Sequence, residues 1–213
     1  MKKNILVVAI VLACAIAPAQ AQFKLPSLGS KPAAGEAAAT PPPSGDALVT
    51  TFQQSQASVL TAQGTLAEAL GLKDQAMLAQ AEAKRMSSGQ LDLDGMKKNR
   101  EVADSLQADL AAKMATQPQL TADSRAKFST GLVQYLQAVV GARNLLVQSQ
   151  QSVSSAGANP MTLMGKGKAA LWVGKETPGY LKGLAGTSKA MLDYAKRNDI
   201  KTPANATAEL DGL

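Results

Sequence analysis

Between Leu120 and Ser155 the apolar residues Phe128, Leu132, Tyr135, Leu136, Val139, Leu146 and Val153 recur at intervals of three, four and seven. That is the period of one helix face, not of a strand. Thr121 is placed to cap the run, and Asp123 falls in the first turn against the positive end of the helix dipole. Val133, Val140, Leu145 and Val147 widen the stripe, so neighbours are expected on more than one side. The helix would be roughly 50 Å long. Only other long helices can cover it, and the segment reads as the element on which the rest of the chain packs.

The flanking sequence supplies such helices. One is expected from Ser44 or Asp46 to about Ser87, with Leu48, Phe52, Val59, Leu66 and Leu70 inward. Met77 and Ala81 keep the phase of Leu70, which favours a continuous, kinked helix through Gly71. After a loop at Ser87-Ser88-Gly89, Asp92 or Asp94 caps a helix with the stripe Met96, Ala103, Leu106, Leu110 and Met114, ending near Thr116 ahead of Pro118. Asn159-Pro160 and Thr177-Pro178 each resemble a cap followed by proline at the first helical position. They predict one helix to about Lys175 and another to about Asn198. Aromatics are only 3 % of the chain and strand signals are weak. The expectation is an all-α, elongated antiparallel bundle of about four to six helices, with a thin core of Ala, Leu, Met and Val.

The domain reading follows. Residues 1–21 have the form of a signal peptide: Lys2 and Lys3, an apolar run from Ile5 to Ile16, and Ala19-Gln20-Ala21 as a cleavage signal. This predicts Sec export to a Gram-negative periplasm, with the mature chain starting at Gln22. The alternative is a lipoprotein anchored through Cys14, in the lipobox-like Val11-Leu12-Ala13-Cys14. Residues 22–45, rich in Pro, Ala and Gly and including Pro41-Pro42-Pro43, read as a disordered spacer. Residues 46–200 form the helical domain, and 201–213 a flexible tail.

Chemistry is limited by what is missing. There is no histidine, and Cys14 is the one cysteine, lost with the signal peptide. Ser-His-Asp and Cys-His nucleophiles and zinc sites of those ligands are excluded. Gly165-Lys166-Gly167-Lys168 lacks the spacing of a phosphate-binding loop. The chain is therefore read as a non-enzyme without a cofactor. One metal candidate is weak: counted from Gln90, Asp92, Asp94 and Glu101 fall at positions three, five and twelve of a calcium loop. Position one is not acidic, and Lys97 and Lys98 add positive charge.

Charge is concentrated at one end. From Ala158 to Lys201 there are eight basic and three acidic residues, while the chain from Gln22 carries 20 basic and 16 acidic. Lys168, Lys175, Lys182, Lys189 and Lys196 stand at every seventh position. Together with Trp172 and Tyr180, which flank Pro178 and would sit at an interface, they are the surface-binding candidates. A basic helical hairpin of this kind suits an anionic membrane surface or an acidic partner. The expected partners are another envelope protein or a second copy of the chain, with the anionic membrane as the alternative and nucleic acid disfavoured.

Overall fold

The computed structural model describes residues 44–158, 167–204 and 206. Within them the chain forms five helices and no strand: α1 (Gly45–Ala69), α2 (Lys73–Ser87), α3 (Leu93–Ala115), α4 (Ala122–Ala158) and α5 (Gly167–Arg197). The all-α expectation holds, and the residue types at the helix ends explain most boundaries. Ser44 accepts from the Ala47 N–H at 3.2 Å, Asp92 from Gly95 at 2.8 Å and Thr121 from Ser124 at 3.1 Å. Each satisfies a backbone donor that the first turn leaves unpaired.

α1 does not run on through Gly71. Gly71 takes φ +78°, its N–H donates to the Glu68 carbonyl at 3.1 Å, and the Leu72 N–H donates to Ala67 at 2.8 Å. These two bonds are a Schellman termination, with Leu72 packing back on the core. The chain reverses, and α2 lies antiparallel on α1. Met77, expected inward, is 63 % exposed; Ala76, Ala79, Ala83 and Met86 are the buried set. Gly64 lies at the α1–α2 contact, where a Cβ would meet the Ala76 carbonyl oxygen and Ala79 Cβ at 3.4 Å, ordinary contact distance.

A second correction concerns the organising element. α4 is the longest helix, at 37 residues, but α1 is the one that packs against all four others. Around it α2, α3, α5 and α4 follow in that order, each touching the next. Fifteen of the 25 residues of α1 are buried, among them Gln53, Gln56 and Gln63. Gln53 Nε2 donates to the Leu91 carbonyl in the turn before α3 at 2.9 Å, and Gln63 Nε2 to the Ala103 carbonyl of α3 at 3.2 Å, so these two glutamines bind the chain rather than water.

The third correction is at Pro178. It lies inside α5 and starts no helix. The missing N–H leaves the Gly174 carbonyl without its helical donor, at a cost of about 3 kcal/mol in a helix interior. α5 continues because it buries an apolar face on both sides of the proline: Ala169, Ala170 and Val173 before, Tyr180, Leu181 and Leu184 after. Pro178 itself is exposed, so its ring lies on the solvent side of the helix. The expected start at Asn159-Pro160 lies outside the described residues.

The core is in two clusters along α1. One surrounds its N-terminal half with Leu48, Phe52, Leu60, Met86, Met96, Leu106, Leu145 and Val173. The other surrounds its C-terminal half with Val59, Leu66, Leu110, Phe128, Leu132, Tyr135, Leu184 and Tyr194. Packing extends past residue 200: the Lys201 carbonyl accepts from Ser129 at 2.8 Å, and Ala206 is buried in the second cluster.

Candidate functional site

Two features stand apart from ordinary bundle packing. The first is the outer face of α5. Lys168, Lys175, Lys182, Lys189 and Lys196 are all exposed. Because α5 is unbroken, their seven-residue spacing keeps them on one side, turning only about 20° per step over about 42 Å. Leu171, 38 % exposed, lies on the same face between Lys168 and Lys175. Arg197 extends the row, while Asp193 is the acid that falls within it. The apolar side of α5 is used inside the bundle, so the face offers charge rather than an inserting surface.

The two aromatics expected beside this row do not both join it. Trp172 is half-buried, its ring edge-on to Phe52 with centroids 5.4 Å apart. Tyr180 is buried, which corrects its placement as a surface residue. On an unbroken α5 it shares the inward face with Val173 and Leu184, two turns and one turn away, rather than flanking a break.

The second feature is where Tyr180 goes. Its ring lies 6.1 Å from Phe52, and the Arg100 guanidinium carbon sits 4.5 Å from its centroid. Outward, Arg100 is held by Asp104 through Nε at 3.0 Å and Nη2 at 2.9 Å. Inward, Arg100 Nη1 is closed to solvent and has no hydrogen-bond partner among the described residues, while the Tyr180 hydroxyl faces Ser55 and the Tyr135 hydroxyl faces Thr187. Beside them Gln107 Nε2 donates to the Gly183 carbonyl at 2.9 Å and meets the Thr187 hydroxyl. α1, α3, α4 and α5 all contribute to this polar interior, at the point where the two core clusters meet. Burial pushes the Tyr135 hydroxyl above the ordinary tyrosine range, and the neighbouring Tyr180 adds to the shift. Burial does the same to Tyr180, against the pull of Arg100. Both phenols therefore stay protonated in the folded chain.

The calcium-loop spacing does not assemble a site. Asp92 is engaged as the α3 cap, Asp94 lies 3.7 Å from Lys97 in the first turn, and Glu101 is exposed further along the helix. Regular helix from Leu93 carries Glu101 about 12 Å along the axis from the α3 start, so the run cannot wrap an ion. Among the described residues no three His, Cys, Asp or Glu come together.

Sequence reasoning also passed over a Ser-x-x-Lys spacing at Ser124-Arg125-Ala126-Lys127. Its members are engaged otherwise: Ser124 with the cap residue Thr121, and Lys127 with Glu68 of α1. Among the described residues no helix is long and apolar enough to cross a membrane. Comparison with known families, with characterised proteins and with solved structures finds no match.

Proposed function

We propose that this is an exported, non-enzymatic helical protein of the Gram-negative periplasm that works by binding through its surface, as a scaffold, adaptor or chaperone-like protein. The observation that carries the reading is the continuous row of five exposed lysines on α5. It is a predominantly basic face, interrupted by Asp193, on a helix whose other side is fixed in the bundle. The form of the N-terminal segment supports export, and the chain has no histidine to activate a serine or cysteine nucleophile.

A second reading, favoured by the same unbroken helix, is docking on anionic membrane. Lysines near an anionic bilayer contribute about 1 kcal/mol each at low salt, and the attraction fades beyond a Debye length. A chain tagged at its C-terminus and expressed in a Gram-negative host tests both. The proposal expects a periplasmic chain beginning at Gln22, part of it held on the envelope fraction and released by high salt. A cytoplasmic, uncleaved chain would contradict export. An envelope fraction unchanged by replacing Lys182, Lys189 and Lys196 with Gln would contradict the role of α5.

A further inference from the structure

We propose that the outer face of α4 pairs with the same face of a second copy of the chain, the two helices parallel and in register.

α4 packs on α1 and α5 with the side that carries Phe128, Gly131 and Tyr135. Its opposite side holds Val133, Gln137, Val140, Asn144, Val147 and Gln151. Val133 and Val140 are half-buried, Val147 is 51 % exposed, and the three amides are exposed. The six residues alternate at steps of four and three. That spacing keeps one helix face against a neighbouring helix over several turns, and a face that meets only water has no need of it.

Charge names the partner. From Gln22 the chain carries 20 basic and 16 acidic residues, so two copies repel wherever their basic faces meet. α2 presents Lys84 and Arg85 to solvent, α3 presents Lys97 and Lys98, and α5 its lysine row. The α4 face has no charged residue among its six; Arg143, the charge within that stretch, lies about 100° round the helix from Asn144. An acidic or basic partner finds no counter-charge there, whereas an identical face fits it. Valine meets valine, and each side-chain amide both donates and accepts, so it pairs with its own copy. An antiparallel pair centred on this face would set each valine against an amide and leave the amides unpaired. The parallel arrangement follows. The face is about 27 Å long and about 10 Å wide, well short of the roughly 800 Å² per partner of a standard interface, so the dimer is weak and forms at high concentration.

The test is sedimentation equilibrium of purified Gln22–Leu213 from about 10 μM to about 1 mM. The expected result is a reversible monomer–dimer equilibrium that rising salt does not weaken, because no opposite charges meet across the face. Asn144→Lys brings two like charges together and abolishes the dimer, with helical content unchanged because the position is exposed. Asn144→Leu replaces a polar layer with an apolar one and tightens the dimer about tenfold. Replacing Lys182, Lys189 and Lys196 with Gln leaves it intact, which separates this face from the lysine row. The chain from Gln22 has no cysteine, so one introduced thiol reports the register. Mild oxidation should link two copies through Asn144→Cys and not through Glu101→Cys on α3. A monomer up to about 1 mM, a dimer that salt dissociates or that survives Asn144→Lys, or a dimer not linked through Asn144→Cys would overturn the proposal.

Discussion

Tyr135 and Tyr180 show how much one atom decides inside a thin core. Their rings fill space that leucine could fill, but their hydroxyls make the bundle sensitive to alkali. Burial holds both protons in the folded state, while the unfolded chain releases them above about pH 10. The folded protein then binds more protons than the unfolded one, so stability is full below that pH and falls above it. The slope is about 1.4 kcal/mol per pH unit for each tyrosine. Urea midpoints between pH 9 and pH 11 should therefore drop steeply, and Tyr135→Phe should remove about half of the tyrosine share. Little of this was legible in the sequence. Tyr135 could be placed in the α4 stripe by its spacing, but the partner of a buried hydroxyl lies on another helix. The same holds for Gln53 and Gln63, whose acceptors are 38 and 40 residues away. A glutamine pattern alone reads as a wet face.

Among the elements, two glycines show where helix contact is close and where it is merely comfortable. A Cβ on Gly131 of α4 would lie 2.9 Å from Leu66 Cγ and 3.1 Å from the Leu66 backbone nitrogen. α1 and α4 would have to part, so Gly131→Ala should destabilise by about 1–3 kcal/mol despite its gain in helix propensity. Gly64→Ala meets its neighbours only at ordinary contact distance and should be neutral or stabilising by up to about 1 kcal/mol. Thermal or urea unfolding of the two variants checks the contrast. Local signals located α3 and α4 well, because caps at Asp92 and Thr121 and a period of 3.6 lie within the segments themselves. They misjudged Gly71 and Pro178 for opposite reasons. Gly71-Leu72 carries a termination signal that the phase of Met77 obscured. Thr177-Pro178 carries a start signal that tertiary burial of α5 on both sides overrides. The hub role of α1 was missed because length pointed to α4 instead.

At the scale of the whole molecule, composition was the better guide. Scarce aromatics, abundant alanine and helix-period stripes require a bundle, and a bundle is found. The lysine row was visible as a seven-residue repeat; only the unbroken α5 shows that all five lysines share one solvent face. The account's central claim is that this face is the working surface. The direct measurement is co-sedimentation of purified Gln22–Leu213 with vesicles containing anionic lipid, at low and high salt. The account predicts binding at low salt that fades as salt rises, and that weakens when Lys182, Lys189 and Lys196 become Gln in a protein with unchanged helical content. Binding that ignores salt and these substitutions would contradict it. No binding at low salt would contradict docking on membrane and leave an acidic protein as the partner of the lysine face.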